Sequence, residues 1–306
     1  MKKICVIGSI NVDIVFSVDA IARPGETVSA SATRRYLGGK GQNQAIALRR
    51  AYPEVALAGN IGASDAWIRD ELERQGIDTA LVRSLDAETG SAFIQVDSRG
   101  QNCIVLDRGA NHKFDKEGLD RVLASLKPGD LVVLQNEINL LEHIVRGAKE
   151  RGIAVALNPS PFDRGIRDLP LRSLDFLVLN EIEGEGLTGE SESAAILDAL
   201  RAAYPETTHV LTLGSEGAMC RAGAETFKVE GRKVDAIDTT AAGDTFLGYF
   251  LAEAMLGRAM PDALRRANVA AAISVTRPGA AASIPSREEV DAVDAAGRSG
   301  GESRRG

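Results

Sequence analysis

The sequence predicts an α/β fold: a parallel β-sheet core flanked by helices, with a small second β-sheet lying over it as a lid. Three observations lead there. Short apolar runs recur along the chain without alternation, as expected of strands buried on both faces. Helical patterns fall between those runs, and repeated strand–helix alternation is the mark of a parallel sheet with covered faces. Two further stretches break this rhythm with alternating, hairpin-like segments.

The first apolar run covers residues 4–7 and ends at Gly8. Residues 12–37 contain an alternating segment at 14–18, interrupted by Arg23-Pro24-Gly25-Glu26. The Gly-rich segment from Gly38 leads into a helix. Residues 66–75 read as a helix, with Ser64 or Asp65 as the candidate cap and Gly76 as the stop. Residues 91–96 and 102–106 read as two short strands joined at Ser98-Arg99-Gly100. Strands are predicted at 131–134, 153–157, 176–179 and 210–213, with helices at 140–151, closed by Gly152, and at 194–203. Helices then dominate, at 245–256, 261–275 and 287–295. The pieces at about 12–37 and 89–107 come from separated parts of the chain, so they are expected to form a lid and not a domain of their own. Residues 1–295 read as one domain. Residues 296–306, polar and Gly-rich, are expected to be a disordered tail.

Composition narrows the function. Hydrophobic residues make up 44% and charged residues 26% of 306, the balance of a globular protein. The formal net charge of −7 disfavours a phosphate-neutralising surface, so nucleic acid is not an expected partner. Cys5, Cys103 and Cys220 form no CxxC pair, and their odd number argues for a reducing compartment. His112, His143 and His209 lack metal-ligand spacing, which excludes a structural zinc site. No run approaches the ~18 apolar residues of a membrane span. The N-terminal apolar run also breaks too early, at Gly8, for a signal peptide. A cytoplasmic protein without a membrane partner is expected.

The strongest local signal is Asp238-Thr239-Thr240-Ala241-Ala242-Gly243-Asp244-Thr245-Phe246, which runs into a helix. Small residues where a helix begins leave its unpaired N–H groups and dipole facing outward, a ready anion site. Asp244 then lies at the helix start, as a plain N-cap or as a carboxylate placed to accept a proton. A second segment, Gly38-Gly39-Lys40-Gly41-Gln42-Asn43-Gln44-Ala45, is not a P-loop, because Gly41 and no hydroxyl residue follows Lys40. Nor is it a dinucleotide fingerprint, since Gln44 stands where a third glycine belongs, which disfavours a Rossmann-type dehydrogenase. It is either a simple turn or a place where backbone approaches a polar ligand, with Asn43 offering an amide and Lys40 a point charge.

Gly8-Ser9-Ile10-Asn11-Val12-Asp13 closes the first strand. Ligands gather outside the carboxyl ends of strands in open α/β sheets. Asn11 and Asp13, spaced i, i+2, point the same way in extended backbone and can grip neighbouring hydroxyls. They also make an ordinary turn pair. Polar residues recur at later strand ends: Gln135-Asn136-Glu137, Asn158-Pro159-Ser160-Pro161, Asn180-Glu181-Ile182-Glu183 and Thr212-Leu213-Gly214-Ser215-Glu216-Gly217. Each suits a loop or cap, and together they suit one shared cleft.

These motifs, in this order, resemble the ribokinase-like carbohydrate kinase family, which also contains adenosine kinases and minor phosphofructokinases. The likeness runs from residue 3 to about residue 292 and implies a ribokinase-like fold with a Rossmann-like core. It implies ATP-dependent phosphorylation of a sugar's exocyclic hydroxyl, with the members that act on the 5-hydroxyl of D-ribose as the nearest match. Carried over by position, Asn11 and Asp13 would hold the sugar's ring hydroxyls, with Gly39, Asn43 and Glu137 completing the pocket. Asp244 would be the catalytic base, touching the sugar hydroxyl, and Ala241, Ala242 and Gly243 the anion hole for the phosphoryl group. Lys40 would approach the phosphates. Asn180, Thr212, Gly214, Ser215, Gly217 and Asn268 would line the ATP site, and Glu183 would orient magnesium through water. A monovalent cation, potassium, would sit by Asp238, Thr240, Ser274, Arg277, Gly279 and Ser283, mostly on backbone carbonyls. A homodimer through the lid is a further implication.

Other readings stay open on the residues alone. A kinase of the same family could act on deoxyribose, a nucleoside or a hexose. The polar set favours a small sugar, and aromatics, only 4% of residues, show no evident wall for a base. A sugar-responsive binding protein without turnover is the rival from another class. The presence of Asp244, Gly243 and Lys40 counts against it.

Overall fold

The computed structural model describes residues 1–302, with side chains as far as Ala296. Strand β1 (Ile4–Ile7) passes through Gly8, Ser9 and Ile10 into β2 (Asn11–Ser17), and β3 (Ala32–Gly38) returns beside it. Helix α1 (Lys40–Ala51), β4 (Val55–Gly62), α2 (Trp67–Arg74) and β5 (Asp78–Leu85) follow. A hairpin of β6 (Gly90–Val96) and β7 (Asn102–Asp107) interrupts. Alternation resumes with α3 (Lys116–Ala124), β8 (Leu131–Gln135), α4 (Leu141–Glu150), β9 (Ala154–Asn158) and β10 (Phe176–Asn180). Then come α5 (Glu181–Thr188), α6 (Ser193–Ala203), β11 (Thr208–Thr212), β12 (Gly217–Ala222) and β13 (Glu225–Glu230). Helices α7 (Ala242–Met255), α8 (Met260–Ser274) and α9 (Arg287–Glu302) close the described chain.

The strands form two sheets. The large one has the order β13-β12-β11-β10-β9-β8-β1-β4-β5, and the small one β3-β2-β6-β7. Pairing is parallel from β5 through to β11. Alternate residues of each central strand enter opposite cores, as period-2 geometry requires. Ile4 and Val6 pack with α1, α7 and α8 on one face, and Cys5 and Ile7 pack with α3, α4 and α6 on the other. The chain runs outward from β1 to β4 and β5, then returns to β8 on the other side. That reversal opens a crevice at the carboxyl ends of β1 and β8, where ligands bind in such sheets.

The expected parallel core and small second sheet are present, and at one margin β12 pairs antiparallel with both β11 and β13. Two expectations need correction. Neither Ser64 nor Asp65 caps α2: residues 63–65 form a separate 3-10 turn and Ala66 is the N-cap. The Asp65 carboxylate instead accepts from Thr89 Oγ1 at 2.6 Å and Trp67 Nε1 at 3.1 Å. Helix α9 continues to Glu302 and so takes in residues 296–302 of the expected tail, because the Ala-rich turn 292–296 carries helical geometry onward. Residues 303–306 lie outside the described residues.

Candidate active site

The crevice is held together by glycine. A Cβ on Gly41 would lie 2.5 Å from the Ser9 backbone nitrogen, and one on Gly8 would lie 2.8 Å from the Gly41 Cα. The start of α1 therefore touches the end of β1 backbone to backbone. This contact lets Ser9 Oγ accept from the Gly41 N–H at 3.1 Å and donate to the Glu137 carboxylate, which also accepts from the Lys40 N–H at 3.1 Å. Glu137, just past β8, is thereby tied to β1 and α1.

Opposite this junction, α7 begins at the expected small-residue turn. Ala241 is the N-cap, in left-handed backbone at φ 59°, and no side chain caps the helix. That geometry costs a non-glycine residue roughly 1–2 kcal/mol. Within the first turn the Ala242 N–H bends back to Thr239 O at 3.2 Å, while Ala241, Ala242 and Gly243 all line the cleft. A methyl on Gly243 would meet no atom within 4 Å, so packing does not require glycine there. Asp244 is the third helical residue and not the cap, and it is buried. Its Oδ1 accepts from Gln44 Nε2 at 2.9 Å and its Oδ2 from Asn43 Nδ2 at 3.3 Å.

One cleft is lined by Lys40, Asn180, Glu183, Thr212, Ala241, Ala242, Gly243 and Asp244, with Asn158, Ser160 and Thr239 among its other walls. Burial opposes the Lys40 charge, but the carboxylates of Asp244, Glu137 and Glu183 hold its pKa above the usual lysine value. Burial pushes the Glu183 carboxyl up, against the pull of the Asn180 N–H, Ser160 and Lys40. Glu183 and Asn180 cap α5 reciprocally: Glu183 N donates to Asn180 Oδ1 at 2.9 Å, and Asn180 N donates to Glu183 Oε2 at 3.0 Å.

A smaller pocket beside it is lined by Asn11, Glu137, Asn136, Arg108, Asn111, Leu106 and Pro161. Asn111 accepts from the Ile10 N–H at 2.9 Å and donates to Ile10 O at 3.2 Å and to Asn11 Oδ1 at 2.7 Å. The Asn11 amide thus keeps its NH2 to offer. Asp13, two residues on, lies against Gly38, where a Cβ would sit 2.1 Å from its Oδ1. Burial pushes the Asp13 carboxyl up to about 6, helped by the Glu137 charge. Gly39, at φ 93°, is the N-cap of α1, where a Cβ would lie 2.9 Å from the Asn11 nitrogen.

The remaining positions stand apart from these two pockets. Gly214, Ser215 and Gly217 form the turn from β11 into β12, and a Cβ on Gly217 would clash with Val229 O at 2.0 Å, so hairpin packing alone demands that glycine. Asn268, on α8, donates to Glu230 O at 2.7 Å. The loops at 237–240 and 275–279 do meet: Asp238 accepts from the N–H groups of Thr240 at 2.9 Å and Gly279 at 2.8 Å. Burial works against the Asp238 charge, but these bonds and the Thr240 hydroxyl hold its carboxyl below the usual range. Arg277 is paired with Glu289, while Ser274 Oγ and Ser283 Oγ each donate at 2.8 Å to a carbonyl three residues back.

Comparison with known proteins is decisive for the family. The pfkB family carbohydrate kinase model matches residues 1–287. The chain belongs to the pfkB family of carbohydrate kinases. It is 36% identical to a ribokinase of Haemophilus influenzae, over 94% of this chain and 97% of that protein. It is 34% identical to a deoxyribokinase of Salmonella typhi, over 94% of this chain and 96% of that protein. The structure of an Arabidopsis thaliana ribokinase complexed with ribose and ATP superposes with a TM-score of 0.84 at 30% identity, over 95% of this chain and 98% of that one.

For a pfkB carbohydrate kinase, sequence reasoning missed part of the cleft's support. Asn111, in the 3-10 turn after β7, anchors Asn11, and Gln135 donates to Gln44 Oε1 at 2.7 Å. Gln44, Gln135 and Asn158 stood within the quoted motif and strand-end segments, but their bonds to one another and to Asp244 did not show in the sequence. The signal that marks them is a polar side chain buried at a strand end or helix start.

Proposed function

We propose that this carbohydrate kinase transfers the terminal phosphoryl group of ATP to the 5-hydroxyl of D-ribose, giving D-ribose 5-phosphate. The observation that carries this reading is the buried Asp244 carboxylate beside the uncapped tip of α7, in a cleft adjoining a polar pocket with Asn11 and Glu137. Asn11, Asp13, Asn43 and Glu137 bind the ring hydroxyls, with Gly39 allowing close approach. Asp244 accepts the proton of the attacking hydroxyl. A carboxylate is a weak base, so the proton arrives late, as the phosphoryl group passes through a loose transition state. Most of the acceleration then comes from positioning and from N–H groups of the Ala241-Ala242-Gly243 turn facing the phosphoryl charge, that of Ala242 being engaged with Thr239 O in the free enzyme. Lys40 approaches the phosphates. Asn180, Thr212, Gly214, Ser215, Gly217 and Asn268 serve the nucleotide.

Glu183 offers hard oxygen to the cleft, a donor that suits Mg2+ held through water. That ion would neutralise charge on the phosphates of ATP. Asp238 pins together two loops whose carbonyl and hydroxyl oxygens suit K+, at Thr240, Ser274, Gly279 and Ser283, with Arg277 offering its carbonyl while its guanidinium is engaged. The small sheet acts as a lid that excludes water, a competing acceptor. Its outer surface is the contact of a homodimer, and the enzyme works in the cytoplasm. The likeness to the Salmonella typhi deoxyribokinase supports deoxyribose as the second substrate to test.

Coupled ADP release across ribose, deoxyribose, a nucleoside and a hexose, with and without potassium, tests the reading. Ribose is expected to give the highest kcat/KM, with potassium raising it. Silence with every sugar overturns the proposal. Asp244→Asn is expected to lower kcat by at least ~10²-fold, the usual general-base range. Near-native turnover in that variant removes Asp244 from the chemistry.

A further inference from the structure

Gln44 is fully buried in the first turns of α1, and its side-chain amide joins three elements under the cleft. Nε2 donates to Asp244 Oδ1 at 2.9 Å and to Asn158 Oδ1 at 3.3 Å, while Oε1 accepts from Gln135 Nε2 at 2.7 Å. The orientation of this amide is determined by its partners. Asn158 Nδ2 donates to Val178 O at 3.0 Å, so Asn158 turns its oxygen toward Gln44. A flipped Gln44 would set its carbonyl against two oxygens and its NH2 against another NH2. Asp244 Oδ2 has the longer contact, 3.3 Å from Asn43.

The terminal torsion of an aspartate is broad and roughly two-fold, so a carboxylate without tethers samples many planes. We propose that Gln44 is a positioning residue: it holds Oδ1 of Asp244 so that Oδ2 keeps a lone pair aimed at the sugar hydroxyl. This rests on the reading of Asp244 as the base. Gln135 and Asn158, at the ends of β8 and β9, in turn hold Gln44, so the aim of the base is referred back to the rigid sheet and not to the helix tip alone. Near-attack geometry is sensitive to small displacements, and misplacement of about 1 Å can lower a rate ~10²-fold.

Two substitutions test it. Gln44→Glu keeps the shape and the acceptor for Gln135, and turns an oxygen toward Asp244 and Asn158. Gln44→Leu removes the amide altogether. Both are expected to lower kcat at least about tenfold while KM for the sugar stays within about threefold, since loss of aim acts on the chemical step. A general loosening of α1 would instead raise KM, because Asn43 is its neighbour in the sugar pocket. Circular dichroism melts report folding, and Gln44→Glu decides the matter if Gln44→Leu does not fold. Asp244→Asn is assayed alongside. If it loses turnover while a folded Gln44 variant keeps native kcat, or loses only KM, the positioning role is overturned and the kinase reading stands. If Asp244→Asn turns over normally, the base assignment and this inference fall together.

Discussion

Asp13 carries a charge that its surroundings resist. Its carboxyl is pushed up to about 6 by burial and by Glu137, from 3.8. In the free fold the proton is bound more tightly than in the unfolded chain. This group's contribution to stability is therefore present at low pH and lost as pH rises from 3.8 through about 6. On the role proposed for Asp13, sugar binding has the opposite sign, because the ionised form is the one that would accept two hydroxyl hydrogens. KM for ribose is expected to rise about tenfold between pH 7 and pH 5, with Asp13→Asn removing that slope. A flat profile in the native enzyme contradicts the role. That Asn11 and Asp13 share one strand at i, i+2 was legible, because such spacing in extended backbone is a local property. The bonds that Gln44, Gln135 and Asn158 make were not, although the residues stood in the quoted segments, because those bonds join positions far apart in sequence, such as Gln44 and Asp244 separated by 200 positions. No periodicity reports a contact of that kind.

Among the elements, the β1–α1 junction is an exacting one. Gly41→Ala would place a methyl 2.5 Å from a backbone nitrogen that cannot swing aside. Overpacking of this kind is expected to lower stability by roughly 1–3 kcal/mol. Urea unfolding measures it, and a midpoint equal to the native one would mean that the two backbones can part freely. The strands β1, β8, β9, β10 and β11 were readable as apolar runs because both of their faces are buried. β4 is equally buried but escaped notice, since its sequence Val-Ala-Leu-Ala-Gly-Asn-Ile-Gly dilutes the run with small residues. β5, β12 and β13 lie at the sheet margins, where mixed exposure blurs any pattern. The Asp244 helix was placed correctly in outline, but the extra turn at 242–244 was not, because a left-handed alanine gives no compositional sign.

For the whole molecule, the small sheet shows an unusual amount of apolar surface. Tyr36 is 47% exposed, Phe93 41%, Ile104 54%, Val105 63% and Leu106 44%. Exposed clusters of this kind mark interaction surfaces. The proposed homodimer predicts a solution mass twice 32.4 kDa by light scattering at micromolar concentration. Val105 pairs with Phe93 on the face opposite Asn11 and Asp13, so Val105→Asp is expected to halve that mass, and a native monomer would remove the lid contact from the account. The overall plan followed from strand–helix alternation and from two hairpins out of phase with it. The antiparallel margin did not, because its pairing depends on a turn at Gly223 that resembles any other loop.

The stitch between Asn111 and the Ile10 peptide has a mechanical consequence. It binds the two roots of the small sheet at one point, so any swing of that sheet must pivot there. Asn11 is the next residue in the chain and therefore sits almost on the axis. A door travels least at its hinge. The amide that would meet the sugar first can hold its bearing while the roof above it opens and shuts.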